Sequence, residues 1–149
     1  MIVYRITTKP LSSSLNASGN PARWNSKGNY VIYTSSSRAL ACLENIVHRS
    51  GEGLNKIFRV LIIEIPASVK IKKVQINKLK PYWFEFKNYH ITQAIGDLWL
   101  SRLQTCVLQV PSAIIKEERN YLINPAHPEF NSIRILKIED FEIDIRLKK

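Results

Sequence analysis

Glu44 sits in the run Ala39–Val47, where most neighbours are apolar, with Leu40 at i−4 and Val47 at i+3. A carboxylate on an inward helical stripe is either a paired structural group or an acid held beside a pocket for catalysis. Tyr33, at the end of a strand, can face the same space, although alone it reads equally as a core or edge tyrosine. Arg5, late in the opening strand, offers the planar paired donors that bind phosphate; its plain alternative is an edge-strand surface charge. Arg23, Trp24 and Asn25 cluster in a loop flanked by Gly19 and Gly28. That grouping suits a phosphorylated ligand with an aromatic ring, with Trp24 as a core plug and Arg23 as a solvated charge the alternative.

Ser112 follows Val110 and Pro111 at the end of a strand, so its hydroxyl lies at a rim. A serine nucleophile needs a base and an orienting acid. The histidines are His48, His90 and His127, and no Gly-x-Ser-x-Gly elbow is present, so Ser112 reads as a hydrogen-bonding ligand residue. Asn120, Asn124, Pro125, His127 and Pro128 form a polar stretch expected to fold as an ordered turn, with His127 a structural hydrogen bonder. No two His or Cys stand at ligand spacing on one element, so no metal site is expected.

These groups need elements to hold them. Met1–Ile6 reads as a strand and Leu11–Gly28 as a loop, long enough inside a compact domain to carry function. Asn29–Thr34 is a strand, Ser35, Ser36 and Ser37 offer an N-cap, and Ala39 to Val47 recur at helical spacing up to a stop at Gly51. Ile57–Ile65 and Val69–Ile76 read as strands, Pro81–Tyr89 as irregular and aromatic-rich. Thr92 is placed to cap a second helix through Leu103. Cys106–Val110, Tyr121–Ile123, Ile133–Ile138 and Phe141–Ile145 are further short strands. Two helices among seven or eight strands, without a repeat or linker, make one α+β domain over residues 1–149.

Composition narrows the classes. At 149 residues and 45% hydrophobic the chain can bury a real core. No apolar run approaches the roughly 18 residues of a bilayer span, no secretory leader is visible, and Cys42 and Cys106 are too few for a disulfide scaffold. A soluble cytoplasmic domain is expected. Net charge is +10, of which the stretch Lys56 to Lys87 supplies six. Such an excess suits an anionic partner or a solvated lysine face.

Read in order, these stations resemble the RES domain, named for an arginine, a glutamate and a serine. The matching stretches are Tyr4-Arg5-Ile6, Ala22-Arg23-Trp24-Asn25 with Gly28, Val31 to Thr34, and Ala39 to Glu44. They continue with Ile95-Gly96-Asp97 and Trp99, Val110-Pro111-Ser112, and Leu122 to Pro125 with His127 and Pro128. Each is short, but their order and spacing cover nearly the whole chain. Pro21 and Ala22 stand where many members carry two glycines; Pro21 stiffens the loop and Ala22 disfavours a positive φ.

The resemblance implies a fold similar to ADP-ribosyltransferases, with mixed or antiparallel sheets and a few helices. It implies a toxin of a bacterial toxin–antitoxin pair that consumes NAD+ by breaking the nicotinamide–ribose bond, as a glycohydrolase or phosphorylase, or that transfers ADP-ribose to a protein. NAD+ is then substrate rather than a prosthetic group, with phosphate a possible co-substrate. The implied partner is an Xre-type helix-turn-helix antitoxin that covers the active site and supplies the contact with nucleic acid. Carried over, Glu44, Arg23 and Tyr33 are catalytic, and Arg5, Trp24, Asn25, Ser112 and Asn124 bind NAD+. A reading of a different class, a basic nucleic-acid-binding or RNA-cleaving protein, rests on the net charge; the chain lacks aromatic RNA-binding motifs and a recognition helix.

Overall fold

The computed structural model describes residues 1–49, Gly53 and residues 56–147. Seven strands form one mixed sheet: β1 (Ile2–Thr8), β2 (Ile32–Ser35), β3 (Phe58–Glu64), β4 (Ile71–Lys73), β5 (Val107–Pro111), β6 (Arg119–Ile123) and β7 (Arg134–Phe141). Their order across the sheet is β4-β5-β6-β2-β1-β3-β7. All neighbours are antiparallel except β4 and β5, which run parallel because α2 (Tyr89–Arg102) lies in the crossover between them. The other α-helix, α1 (Arg38–Arg49), links β2 to β3.

Alternation along the strands divides the core. Val3, Ile32, Leu61, Ile63, Val107 and Ile123 pack on one face, which the long loop covers with Leu15 and Ala17. Trp24, Trp83, Trp99, Leu108 and Leu122 pack on the other face beneath α2. Ile6, Ala41, Phe58, Val60 and Ile143 continue that face beneath α1. Between these last two clusters the sheet is thinly joined. β1 and β2 share one registered pair, Tyr4 with Ser35, whereas β1 and β3 are paired along seven residues.

Most expected elements form, with informative differences. The strand expected over Val69–Ile76 is reduced to Ile71–Lys73, because Val74 and Leu79 turn inward onto the tryptophan cluster and draw the chain off the sheet edge. Phe141 does not open a separate strand: it ends β7, and Ile143 beyond it is buried under α1. Ser37 caps α1 by accepting from the Leu40 N–H at 3.1 Å; the expected stop at Gly51 lies outside the described residues.

Thr92 is not a cap. Helix α2 starts three residues earlier, and the Thr92 hydroxyl donates to the Arg23 carbonyl at 2.5 Å. It belongs to a face of α2 that holds the long loop. Gln93 Nε2 donates to the Ala22 and Asn25 carbonyls at 2.8 and 3.2 Å. The Asp97 carboxylate accepts from Ser26 N, Ser26 Oγ and Asn29 Nδ2, all within 3.0 Å. Positions 92, 93, 96 and 97 share one helical face, and at Gly96 the Trp24 carbonyl lies where a Cβ would stand. Pro21 and Ala22 follow this path without a positive φ, which among the described non-glycine residues is confined to Tyr82 and Leu103.

Gly96→Ala therefore sets a gain of about 1 kcal/mol in helix propensity against a clash with backbone that cannot rotate away. We expect a net loss of about 1–3 kcal/mol, read as a lower urea midpoint at unchanged slope.

Candidate active site

Where β1 and β2 part, a cavity of about 560 Å³ opens, within the ordinary range for a small-molecule site. Arg5, Ile6 and Thr7 of β1 form one wall and Val31 and Tyr33 the other. Gly19 to Ala22 and Asn25 of the loop bound one end, and Glu44, Asn45, His48 and Arg49 of α1 lie across it.

Helix α1 does not bury the stripe its sequence suggests. Leu40 is buried, but Val47 is 51% exposed. The helix lies over a cleft rather than a continuous core, so the face bearing Ala41, Glu44, Asn45 and His48 turns to the cavity. Asn45 Nδ2 donates to the Ile6 carbonyl of β1 at 3.0 Å, which pins the helix to that wall.

Glu44 is held by three groups. Oε1 accepts from Ser112 Oγ at 2.8 Å and from Asn120 Nδ2 at 2.6 Å, and Oε2 lies 3.3 Å from His48 Nε2. Burial pushes this carboxyl up, but the bonds from His48, Asn120 and Ser112 outweigh it and hold the group below its ordinary value. Glu44 is thus an anion at neutral pH, on the lining of the cavity.

Ser112 is fully buried and behind the lining. Its proton goes to Glu44, and its oxygen accepts from the Ile114 and Ile115 N–H groups at 3.1 and 3.2 Å. A hydroxyl so engaged orients the carboxylate; it lies not at a rim but beneath the site, and is placed neither to bind a ligand as expected nor to act as a nucleophile.

Arg5 lines the cavity with its Nη1 buried and without a hydrogen-bond partner among the described residues, and burial lowers the guanidinium pKa. A buried cation without a partner is costly unless an anion meets it. Tyr33 also lines the cavity; its hydroxyl donates to Asn25 Oδ1 at 2.6 Å and accepts from Trp24 N at 3.2 Å. Burial raises that phenol well above its ordinary value, so it stays neutral. Asn25 spends its amide on the Asn20 and Asn29 carbonyls, at 2.8 and 2.9 Å, and so shapes the loop edge of the cavity.

Besides Ser112, three of the expected site residues stand off the lining. The Arg23 guanidinium is off the lining, 4.4 Å over the Tyr89 ring and bonded to the Trp83 carbonyl at 3.3 Å. Trp24 is core, 2% exposed and 6.0 Å from Trp83, because the loop turns its indole under α2. Asn124 is buried beyond the far end of β6, bonded to Leu100 O and Ala126 N. His127 accepts from Glu129 N and meets the Leu103 carbonyl, a structural role.

Asn120, Asn45 and His48 were not singled out for chemistry by sequence. His48 had a signal, its i+4 spacing from Glu44. Asn120 had a faint one: it is not in a turn but in β6, registered between Ser35 and Val110. Among the described residues no cluster of three His, Cys, Asp or Glu could hold a metal ion.

The RES domain family model matches residues 2–144. A protein of Sphingobium sp. (strain YBL2) named Prs ADP-ribosylating toxin is 36% identical over 127 residues, 84% of this chain and 79% of that one. A Pseudomonas putida protein named Toxin Res is 34% identical over 149 residues, 99% of each chain. Among solved structures, the M. tuberculosis MbcT-MbcA toxin-antitoxin complex contains a chain that matches with a TM-score of 0.76 at 15% identity. The match covers 95% of this chain and 84% of that one, and it shows a shared fold. On a family match that spans nearly its whole length, and relatives that align from end to end, the chain belongs to the RES domain family.

Proposed function

We propose that this protein is the toxin of a toxin–antitoxin pair and that it cleaves the nicotinamide–ribose bond of NAD+. The observation that carries the reading is the cavity itself. It brings together an anionic carboxylate, a buried guanidinium whose Nη1 has no partner among the described residues, and, on the opposite wall, a neutral tyrosine.

The chemistry follows from those charges. As the bond between ribose C1′ and the pyridinium nitrogen breaks, its electron pair leaves with neutral nicotinamide and positive charge grows on the ribose. Glu44, ionised and fixed, stabilises that charge and can accept from a ribose hydroxyl. Arg5 meets the diphosphate through paired donors. The Tyr33 ring supplies a flat wall for the leaving base. An acceptor then adds to C1′: water or inorganic phosphate in a degradative reaction, or a protein side chain in a transfer. The Sphingobium relative's name favours a protein acceptor as the second reading. An Xre-type antitoxin that covers the cleft completes the proposal.

Purified protein incubated with NAD+ should release nicotinamide, and product analysis with and without phosphate separates the acceptors. Glu44→Gln keeps the shape and an acceptor oxygen but removes the charge, and we expect kcat to fall by about 10²–10³. Undiminished turnover overturns the assignment. The pH profile follows from the depressed Glu44 value: the anion persists as pH falls through about 4.3, the ordinary glutamate value. Turnover should therefore be lost only below that point.

Arg5→Lys keeps the charge and loses the planar fork. The expected result is a KM for NAD+ raised about tenfold, with a smaller change in kcat. An unchanged KM removes Arg5 from the diphosphate site.

A further inference from the structure

The two oxygens of Glu44 are not equivalent, and the difference originates two strands away. Asn120 Nδ2 donates to Oε1 at 2.6 Å, while Asn120 Oδ1 accepts from Ser35 Oγ at 2.7 Å. A free amide can turn over and present its oxygen instead, which would repel a carboxylate. The carboxylate, which can only accept, selects the Nδ2 side, and the Ser35 hydroxyl then donates to the Oδ1 left on the other side and holds the amide in that plane. Ser35 is 4% exposed and stands in β2, registered opposite Asn120 in β6 and Tyr4 in β1. The hydroxyl that sets the amide is thus fixed by backbone pairing on both sides.

We infer that Ser35 and Asn120 form a positioning relay that divides the Glu44 carboxylate into a saturated oxygen, Oε1, and a presented oxygen, Oε2. A carboxylate has about four acceptor sites, two on each oxygen. Oε1 spends both, on Asn120 and Ser112. Oε2 meets His48, whose side chain is 53% exposed, and retains a site for a ligand donor. A carboxylate held by one oxygen, with the other turned to the cavity, binds a ribose hydroxyl in one orientation. This assignment rests on the proposed cleavage of NAD+, and it adds to that reading the atom that touches the sugar and the residues that select it.

Other charged or titratable groups near Glu44 are His48 on the same helix, Tyr4, Arg5, Tyr33 and Arg49 on the cavity lining, and Arg23 beside it. None of them contacts Ser35 in the hydrogen-bond network, so substitution at Ser35 isolates the relay from them.

The test is the Glu44 carboxyl carbon, followed by NMR through an acid titration in the intact protein, alongside nicotinamide release from NAD+. In Asn120→Asp two carboxylates share the position, and in Ser35→Ala the amide loses the partner that holds its Oδ1 and its bond to Glu44 loosens. We expect the Glu44 midpoint to rise by roughly one pH unit in the first and by less in the second, the same direction in both. We expect kcat to fall about tenfold or more, with KM altered less than about threefold. A Glu44 midpoint unchanged in Ser35→Ala overturns the relay, as does full kcat with a loss of stability alone. Should Asn120→Asp fail to fold, Ser35→Ala decides. Should the wild-type protein release no nicotinamide, the NAD+ reading falls, and the titration still decides whether Ser35 and Asn120 govern the carboxylate.

Discussion

The contact of the Trp24 carbonyl with Gly96 is the constraint from which the rest of the site is built. A loop of this length has little reason to hold one path, because its backbone groups find no regular ladder. Here α2 supplies the ladder from its side chains. Thr92, Gln93 and Asp97 bind the loop at Arg23, Ala22, Asn25, Ser26 and Asn29, and the absent Cβ at position 96 lets the two backbones touch. With the loop fixed, Asn25 and the Trp24 N–H fix the Tyr33 hydroxyl, and one wall of the cavity is set. Chain order is no guide to this dependence: the loop precedes α2 by some seventy residues, as the separation of Gln93 from Ala22 shows.

The electrostatics of the cavity follow a division of labour between satisfied and unsatisfied groups. Glu44, Asn120, Ser112 and Tyr33 have their partners within the protein, so their charge states and directions are fixed before any ligand arrives. Arg5 Nη1 has none among the described residues, so the cost of its desolvation is not offset within them. The net charge of +10 bears little on this. The cavity's arginines, Arg5 on β1 and Arg49 on α1, lie outside the lysine-rich stretch that dominates the total.

Both helices and nearly all strands followed from periodicity and turn residues, since those signals are local. Glu44 stood out because a charge among apolar neighbours needs a reason, and the structure supplies one. What escaped was non-local. Asn120 looked like part of a polar turn because only the pairing of β6 with β2 places it beside Ser35 and Glu44. Trp24 and Arg23 looked like ligand groups because the sequence does not reveal that α2 turns the indole inward and that Trp83 and Tyr89 receive the guanidinium. The family resemblance extends over residues 2–144, but it does not say which of its stations meet in one cavity. The distances between them belong to the tertiary fold.

The single Tyr4–Ser35 rung divides the sheet into two ladders, β4-β5-β6-β2 and β1-β3-β7, with the cavity at their seam. Two consecutive residues of α1 reach opposite sides of it. Glu44 is bonded to Ser112 and Asn120 of the first block, and Asn45 to the Ile6 carbonyl of the second. The helix is therefore a staple as well as a scaffold, and the carboxylate proposed as the reactive group is one of its two prongs. A small residue at position 44 would therefore cost more than a charge: it would also remove the bonds that tie α1 to the first ladder.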